Sequence, residues 1–321
     1  MLFEKQMIRM YRNNLFIRND NRDGIFYFQE TDFPGLTARP YTFPAGAGHD
    51  LKGYFYSYPN PAPNRLVVFD HGMGNGHRAY MVEIERLCRA GYLVFSYDHT
   101  GCMESGGENT GGFAQSLNDL DNCLRALKAE EGLLDRKISV VGHSWGGFST
   151  MNIAALHPEV THVVSMSGFV SVEIMLEQLM QGPLKGMRKP LLALERQVNP
   201  DYVDFDARKS LANTDAKVLL IYSDDDKTVR ADVHFLRLKD ALAHRHNIRF
   251  LLVSGKDHNP GYTADAVQYK NTFFREFTKA KKRGQLKTAA QQKEFMARYD
   301  FSRMTAQDEG VWAEILNHLE S

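Results

Sequence analysis

The feature that most constrains the fold of this chain is a short apolar run that ends in a glycine–serine–glycine turn. Residues 138–141 are Ile-Ser-Val-Val, and Gly142-x-Ser144-x-Gly146 follows directly. This spacing is typical of a tight turn from a strand into a helix, where larger residues two positions from the serine would make the two elements collide. The turn would hold the Ser144 hydroxyl at a helix N-terminus, where backbone N–H groups favour negative charge. Because an ordinary glycine-rich turn has the same pattern, the interpretation needs support from the rest of the chain.

Strand-like and helix-like segments alternate around this turn. Short continuous apolar runs predict buried strands, and several of the segments between them carry apolar residues at helical spacing. The predicted strands are residues 25–28, 53–58, 66–70, 92–97, 138–141, 160–166, 217–222 and 248–253, and the predicted helices include residues 1–20, 77–90 and 148–157. This alternation favours an α/β fold, in which a mainly parallel central sheet is covered by helices on both faces.

The alternation is interrupted once, by a segment rich in leucine and methionine between two predicted strands. The segment is longer than one crossover needs, which predicts a helical lid, although ordinary surface helices account for most of the same residues. Met175, Leu179 and Met180 are candidates to line an apolar substrate pocket. The expected organisation is an N-terminal extension (1–40), a core (41–168 and 216–280), a helical lid (169–215) and a C-terminal helical extension (281–321).

Composition excludes several classes of protein. The formal net charge is zero, so no basic field is present to attract nucleic acid or an anionic membrane surface. No apolar run approaches the roughly 18 residues of a membrane-spanning helix, and none of signal-peptide length follows Met1. Cys88, Cys102 and Cys123 are scattered, so neither a disulfide framework nor a zinc site is predicted. We therefore expect a cytoplasmic protein without a metal or a cofactor.

Two further segments supply the partners that a nucleophilic serine needs. A serine hydroxyl is weakly nucleophilic at neutral pH, so it requires a base, and the base requires an orienting acid. His258 follows the last predicted strand, at the edge where the ends of parallel strands converge, although an exposed loop histidine fits there too. Asp224, Asp225 and Asp226 follow the preceding strand, and at least one of them must belong to a solvated turn. The order serine, aspartate, histidine is the one expected for this type of turn.

Catalysis by such a serine also needs two N–H groups to stabilise an oxyanion. The first candidate is the backbone N–H of Trp145, which directly follows Ser144. The second is the N–H of Met73, in the loop His71-Gly72-Met73-Gly74 that follows the strand at 66–70. We expect the side chain of His71 itself to be structural.

These motifs together resemble those of α/β-hydrolases of the serine-hydrolase superfamily, over roughly residues 40–280. The chain is most similar to the branch that contains monoacylglycerol lipases, lysophospholipase-like esterases and serine aminopeptidases. The corresponding motifs are the elbow at Gly142–Gly146, the oxyanion loop at His71–Gly74, the strand-end motif at Asp98–Ser105, and the histidine at His258. The acid motif of the family, Gly-x-x-Asp-x-x-Val, aligns with Ser223–Val229 and selects Asp226, with Ser223 in place of the usual glycine.

The resemblance implies cleavage of a small-molecule carboxylic ester by a Ser144–His258–Asp226 acyl-enzyme mechanism. The apolar insertion favours an apolar or aromatic acyl group. A peptidase or amidase remains open because Glu173, Glu177 and Glu195 lie in the insertion and are suited to bind a substrate amine. A non-catalytic binding protein with the same fold is a third reading.

One further helix is predicted near the C-terminus, after a capping box at Thr305–Asp308. Its apolar residues recur at helical spacing, so one face of it is expected to be covered. The cover is either the rest of this chain or a second subunit, and a homodimer is therefore left open.

Overall fold

A mixed sheet organises the part of the chain that this computed structural model describes, which is residues 2–20, 25, 28–74 and 76–321. The strands are β1 (Thr37–Pro44), β2 (Asp50–Ser57), β3 (Arg65–Asp70), β4 (Leu93–Tyr97), β5 (Lys137–His143), β6 (Val160–Met166), β7 (Lys217–Ser223) and β8 (Ile248–Val253). The α-helices of the same ranges are α1 (Leu2–Leu15), α2 (Met81–Arg89), α3 (Gln115–Ala129), α4 (Trp145–Ile153), α5 (Val172–Leu179), α6 (Arg188–Val198), α7 (Ala207–Ala212), α8 (Phe235–Leu242), α9 (Ala264–Lys282), α10 (Ala289–Met296), α11 (Phe301–Met304) and α12 (Glu309–Glu320). The predicted α/β fold is confirmed.

The strand order places the candidate residues at one edge of the sheet. The order is β1-β2-β4-β3-β5-β6-β7-β8, and every pairing from β4 to β8 is parallel. From β3 the chain first forms β4 on one side of β3 and then crosses over to form β5 on the other side. The strand order therefore reverses at β3. In open α/β sheets, ligands bind outside the carboxyl ends of the strands at such a reversal. The loops after β3 and β5 meet at this point.

The two faces of the sheet are covered by separate apolar clusters. Successive residues of β3 point to opposite faces, so Val68 belongs to one cluster and Val67 to the other. The first cluster also contains Phe148 of α4, and the second contains Trp312 of α12. The C-terminal helix therefore covers one face of the sheet within this chain, as the first of the two predicted alternatives required.

The predicted insertion is helical and packs onto the body of the protein. Helices α5, α6 and α7 lie within it, and Leu176 and Leu191 are buried in the first apolar cluster. Met7, Tyr11 and Leu15 of the N-terminal helix α1 belong to the same cluster. Most apolar side chains of the insertion thus serve packing. The domain boundaries themselves stay a prediction.

Some local predictions need correction. The capping residue of α12 is Asp308, whose side chain accepts the Val311 N–H. Thr305 instead follows the last residue of α11, and its hydroxyl donates to the carbonyl of Phe301, the first residue of that helix. Strand β1 was not predicted because it contains two prolines, which are tolerated where a strand pairs on one side only. The predicted strand at 25–28 includes residues 26 and 27, which lie outside the described residues.

Candidate active site

The turn between β5 and α4 holds Ser144 in a strained conformation. Its backbone has φ 57° and ψ −109°, a region that residues with a side chain rarely adopt. A Cβ atom on Gly142 would overlap the carbonyl of Gly146, and a Cβ atom on Gly146 would overlap the carbonyl of Asp70. The glycine spacing therefore reflects the close approach of α4 to β5 and β3, and this approach fixes the serine at the end of the sheet.

The structure brings Ser144, His258 and Asp226 together in one chain of hydrogen bonds. The distance from Ser144 Oγ to His258 Nε2 is 2.8 Å, and that from His258 Nδ1 to Asp226 Oδ2 is also 2.8 Å. The side chain of His258 is 19% exposed, whereas that of Asp226 is fully buried. Burial disfavours the charged carboxylate, but hydrogen bonds from His258, Val229 and Thr228 outweigh it and hold the pKa of Asp226 below its ordinary value. Asp226 is therefore an anion that fixes the orientation of the imidazole.

The neighbouring aspartates have other partners. Asp224 Oδ2 accepts the Ser254 hydroxyl at 2.7 Å, and Asp225 Oδ1 accepts the Asp257 N–H at 2.9 Å. Ser223, which replaces the usual glycine of the family motif, donates to Asp225 at 2.6 Å and accepts the Lys256 N–H at 3.0 Å. The unusual serine therefore ties the aspartate loop to the histidine loop.

The two predicted oxyanion donors lie on segments that other contacts fix. Trp145 is the first residue of α4, and its indole Nε1 donates to the Phe113 carbonyl at 2.7 Å. In the loop of Met73, the Gly72 N–H donates to the Tyr80 hydroxyl at 3.1 Å. Within the described ranges, neither the Met73 nor the Trp145 backbone N–H donates to an acceptor of this chain. Both groups are thus available to a bound ligand.

His143, for which the sequence predicts no role, connects the loop of Met73 to the loop of His258. Burial, together with the neighbouring His258, lowers the pKa of His143 to about 3, so the imidazole is neutral. Its Nε2–H donates to the His258 carbonyl at 2.6 Å, and its Nδ1 accepts from the Tyr80 hydroxyl at 2.8 Å. Because Tyr80 also accepts the Gly72 N–H, one polar chain joins the two loops. The signal in the sequence was only the position next to Ser144.

A second histidine–carboxylate array lies buried beneath the turn. His99 Nε2 is 3.0 Å from Asp70 Oδ1, and His99 Nδ1 is 3.1 Å from Asp119 Oδ2. Burial opposes the positive charge, but the two carboxylates outweigh it and raise the pKa of His99 to about 10. The ring also lies 4.7 Å from that of Trp145. This array joins β3, β4 and α3 below the candidate site, and no spacing in the sequence indicates it.

A third array holds the segment that follows the oxyanion loop. His77 Nδ1 donates to Asp98 Oδ1 at 2.7 Å, and His77 Nε2 accepts the Tyr56 hydroxyl at 2.9 Å. Burial opposes the charge of Asp98, but its contacts with His77 lower the pKa of this carboxyl to about 2. Asp98 opens the strand-end motif noted in the sequence, and Ser105 closes it by donating to the Asp98 carbonyl at 2.5 Å.

The three candidate pocket residues of the insertion differ in their exposure to solvent. Met175 and Met180 are buried in the first apolar cluster, which also contains Trp145, whereas Leu179 is 41% exposed on α5. None of these three residues lines the small cavity between the loop of Met73 and the segment that follows His258. Their contact with a substrate stays a prediction.

The acidic side chains of the insertion are mostly engaged within the protein. Glu195 is fully buried and accepts the Tyr11 hydroxyl at 2.6 Å and the Phe113 N–H at 2.9 Å. Burial raises the pKa of Glu195 to about 7. Glu177 forms an ion pair with Arg237 at 2.9 Å, and Glu173 is exposed. Glu195 is therefore committed to joining α1, α6 and the loop before α3.

The described part of the chain contains neither a candidate metal site nor a candidate membrane span. No group of three or more histidine, cysteine, aspartate or glutamate side chains there has the arrangement of a metal site. No helix there has both the length and the apolar character that crossing a membrane requires.

Comparison with known proteins places the chain in a family. The model of the family described as serine aminopeptidase, S33, matches residues 61–259, which is more than half of the chain. The chain belongs to this family of α/β-hydrolases. The match ends one residue beyond His258 and includes the turn at Ser144, so the family covers all three side chains of the hydrogen-bonded array. The resemblance that the motifs predicted is confirmed, and the protein is a hydrolase.

Individual relatives agree with this assignment. The chain is 28% identical over 240 residues to the esterase YjfP of Escherichia coli, which covers 69% of this chain and 93% of that protein. The fold is similar to that of the Pyrococcus furiosus esterase Pf2001, with a TM-score of 0.58 and 17% identity over 89% of this chain and 99% of the other. A putative dienelactone hydrolase from Klebsiella pneumoniae gives a TM-score of 0.57 at 17% identity, with the same coverage of both chains. At these identities the solved structures support the fold alone.

Proposed function

We propose that this protein hydrolyses carboxylic esters through an acyl-enzyme intermediate on Ser144. Ser144 Oγ attacks the ester carbonyl carbon while its proton passes to His258 Nε2, and Asp226 stabilises the imidazolium that forms. The oxyanion accepts hydrogen bonds from the N–H groups of Met73 and Trp145. The tetrahedral intermediate then collapses to the acyl-enzyme and releases the alcohol, which takes the proton from His258. Water then attacks the acyl-enzyme by the same route and releases the acid.

The observation that carries the proposal is the hydrogen-bonded array at a strained turn. A serine with φ 57° would be a costly feature in a merely structural turn, and its hydroxyl lies 2.8 Å from an imidazole that a buried carboxylate orients. The similarity to an esterase over 69% of this chain and 93% of that protein supports esters as the substrate class. Each of the three side chains that a serine hydrolase requires is present, which favours catalysis over a purely binding role.

We propose further that the acyl group is apolar or aromatic and lies beside α5, where Met175, Leu179 and Met180 are located. Leu179 is the exposed member and is the one suited to contact a ligand directly. The test is the chain-length profile of 4-nitrophenyl esters from acetate to dodecanoate. Leu179→Ser should shift the preference toward shorter acyl groups, and an unchanged profile would contradict the placement.

The decisive experiment combines covalent labelling with an ester assay. Purified protein should react with a fluorophosphonate probe and hydrolyse 4-nitrophenyl butyrate, and Ser144→Ala should abolish both. Labelling that survives in Ser144→Ala would show that the nucleophile lies elsewhere. A protein that neither reacts with the probe nor hydrolyses any ester would contradict the proposal as a whole.

Amide cleavage is the competing activity, because the family description names an aminopeptidase. The structure weakens the basis for it, since Glu195 and Glu177 already have partners within the chain. Aminoacyl 4-nitroanilides, assayed beside the esters, distinguish the two. We expect kcat/KM to be higher for the esters by orders of magnitude, and comparable values would favour a peptidase.

A further inference from the structure

The N-terminal helix α1 contacts the insertion, although it precedes residues 61–259, which the family model matches. Its buried Tyr11 donates a hydrogen bond from the side-chain hydroxyl to Glu195 Oε1 of α6 at 2.6 Å. The ring of Tyr11 also meets that of Phe113, in the loop before α3, edge to face with 6.3 Å between the ring centres. Helix α1 therefore connects the insertion with the loop before α3.

The segment that follows α1 is fastened to the residues between β4 and α3. The Arg18 guanidinium donates to the carbonyl groups of Ser105 at 3.0 Å and of Gly107 at 2.7 Å. The Thr110 N–H donates to the Ile17 carbonyl at 3.2 Å. These bonds fix α1 relative to the loop before α3, so the position of the helix does not depend on its apolar face alone.

Glu195 occupies a space that admits a carboxylate. The side chain is fully buried, and its Oε2 accepts the Phe113 N–H at 2.9 Å. Gly112 has φ 91°, and a Cβ atom there would lie 2.5 Å from Glu195 Oε2. A glycine at this position therefore lets the carboxylate approach the backbone. Because one oxygen accepts the Tyr11 hydroxyl and the other accepts an N–H of the loop, Glu195 links α1 to the loop through two separate hydrogen bonds.

Phe113 also contacts Trp145, the residue after the proposed nucleophile. Its carbonyl accepts the Trp145 indole Nε1–H at 2.7 Å, while its N–H is bound by Glu195. The Ser116 hydroxyl of α3 donates to the Trp145 carbonyl at 3.1 Å. The chain of hydrogen bonds therefore begins at Tyr11 and ends at Trp145. The backbone N–H of Trp145 is the proposed oxyanion donor.

We propose that Tyr11 and Glu195 are positioning residues for Trp145, so that the N-terminal helix takes part in ester hydrolysis. This inference rests on the proposed ester hydrolysis at Ser144. Both residues act by holding the Phe113 backbone, and through it the indole that is joined covalently to the oxyanion donor. A displaced donor stabilises the developing oxyanion of the transition state less well, while binding of the neutral ester changes little. We expect loss of either residue to lower kcat at a nearly constant KM.

Two substitutions that each remove one polar group test the proposal in the 4-nitrophenyl butyrate assay. Tyr11→Phe should lower kcat by about threefold to tenfold, and Glu195→Gln by about tenfold or more, with KM within about twofold of the wild type. These losses are smaller than the roughly 10²–10³-fold that follows removal of an oxyanion donor, because the donor is displaced and not removed. The matched control is Tyr299→Phe, which removes a hydroxyl that donates to Glu276 at 2.5 Å in the C-terminal part of the chain. This control should keep the wild-type kcat.

The double variant Tyr11→Phe/Glu195→Gln shows whether the two residues act together. Because both act through the Phe113 backbone, its kcat should be close to that of Glu195→Gln alone. Losses that multiply in the double variant would overturn the inference. A wild-type kcat in either folded single variant, or a loss confined to KM, would overturn it as well.

The indole N–H of Trp145 provides a signal that does not depend on activity. The chain contains two tryptophans, so the NMR spectrum of a nitrogen-labelled sample has two indole N–H resonances, and Trp312→Phe identifies that of Trp145. Burial raises the pKa of Glu195 to about 7, so the Trp145 resonance should shift with a midpoint near that pH. His99, whose ring lies 4.7 Å from that of Trp145, has a pKa of about 10 and keeps its charge over this range.

Two variants identify the titrating group. The groups that act on the Glu195 carboxyl from α1 and from the loop before α3 are the Tyr11 hydroxyl and the N–H groups of Phe113 and Ala114. In Glu195→Gln the shift of the Trp145 resonance should be absent. In Tyr11→Phe the midpoint should move to higher pH, because the Tyr11 hydroxyl stabilises the carboxylate and lowers its pKa. A shift that persists unchanged in Glu195→Gln would overturn the inference.

The wild-type titration covers the case in which the variants do not fold. If neither indole resonance moves between about pH 5.5 and 8.5, the inference is overturned without any variant. Failure of the underlying function is recognised separately, because the wild-type protein would then hydrolyse no ester and would not react with the fluorophosphonate probe. Failure of the inference alone appears in an active wild type whose Tyr11 and Glu195 variants keep its kcat.

Discussion

Two histidine–carboxylate arrays lie near the carboxyl ends of the strands, and they differ in what surrounds them. His258 contacts one carboxylate, is 19% exposed at its side chain, and has a serine hydroxyl on its other nitrogen. His99 is fully buried and has a carboxylate beside each nitrogen. Under the proposed function the first imidazole accepts and returns the serine proton, because one of its nitrogens faces the Ser144 hydroxyl. The second is held as a cation by Asp70 and Asp119.

The difference teaches that residue type alone does not define a catalytic histidine. The two arrays share the same functional groups at similar distances, yet their physical settings assign them opposite tasks. A general base needs access to the substrate and must exchange its proton at the working pH. A buried imidazolium between two carboxylates instead keeps its proton and holds neighbouring elements together. The predictions below are arranged to separate these tasks, beginning with the largest expected effect.

The largest effect is expected from His258→Ala. Because the serine then loses its base, kcat/KM for 4-nitrophenyl butyrate should fall on the order of 10⁴-fold or more. The protein should stay folded, with a free energy of unfolding in urea that falls less than in a variant of His99, because Asp226 keeps its hydrogen bonds from the Thr228 and Val229 N–H groups. Near-wild-type activity in a folded His258→Ala protein would remove His258 from the mechanism.

The next comparison is between neighbouring aspartates. Asp226→Asn should reduce kcat by about 10⁴-fold, because the amide cannot hold the imidazole as the carboxylate does. Asp224→Asn is the matched control, since Asp224 contacts the Ser254 hydroxyl and not His258. If Asp224→Asn proved the more damaging change, the orienting acid would have to be reassigned.

His99→Asn should mainly lower the free energy of unfolding. Removing the cation leaves Asp70 and Asp119 buried without their partner, which typically costs about 3–5 kcal/mol. His246→Asn, at an exposed position, should leave the free energy of unfolding within about 0.5 kcal/mol of the wild type. Equal midpoints for the two variants would show that the buried array does not stabilise the fold.

The pH dependence of stability gives a smaller and more specific signal. The pKa of His99 is about 10 in the folded protein, above the roughly 6.5 of an unfolded histidine. Its contribution is therefore complete below about pH 6.5 and is lost progressively as the pH rises toward 10. Urea unfolding at several pH values should show stability falling more steeply with pH in the wild type than in His99→Asn. Parallel curves would contradict a charged His99.

The sequence by itself determined those features that depend on local physics. Gly142 and Gly146 are required by contacts at the turn that they form, and apolar strands of four to seven residues predict a covered parallel sheet wherever they occur. The chain order of Ser144, Asp226 and His258 then followed from the order of the strand ends. The family could also be predicted from the sequence, because its motifs are short and have recognisable spacings.

Only the tertiary structure decided which polar groups share a buried space. The cation at His99, the link through His143 and the buried position of Glu195 each depend on residues that are distant in sequence and close in space. Desolvation and Coulomb interactions depend on distances of a few ångströms in space and have no period along the chain. No sequence pattern therefore predicts the electrostatic environment of these side chains. The steric requirements of a turn can be predicted from the spacing of its residues, whereas the electrostatic environment of a side chain depends on the tertiary structure.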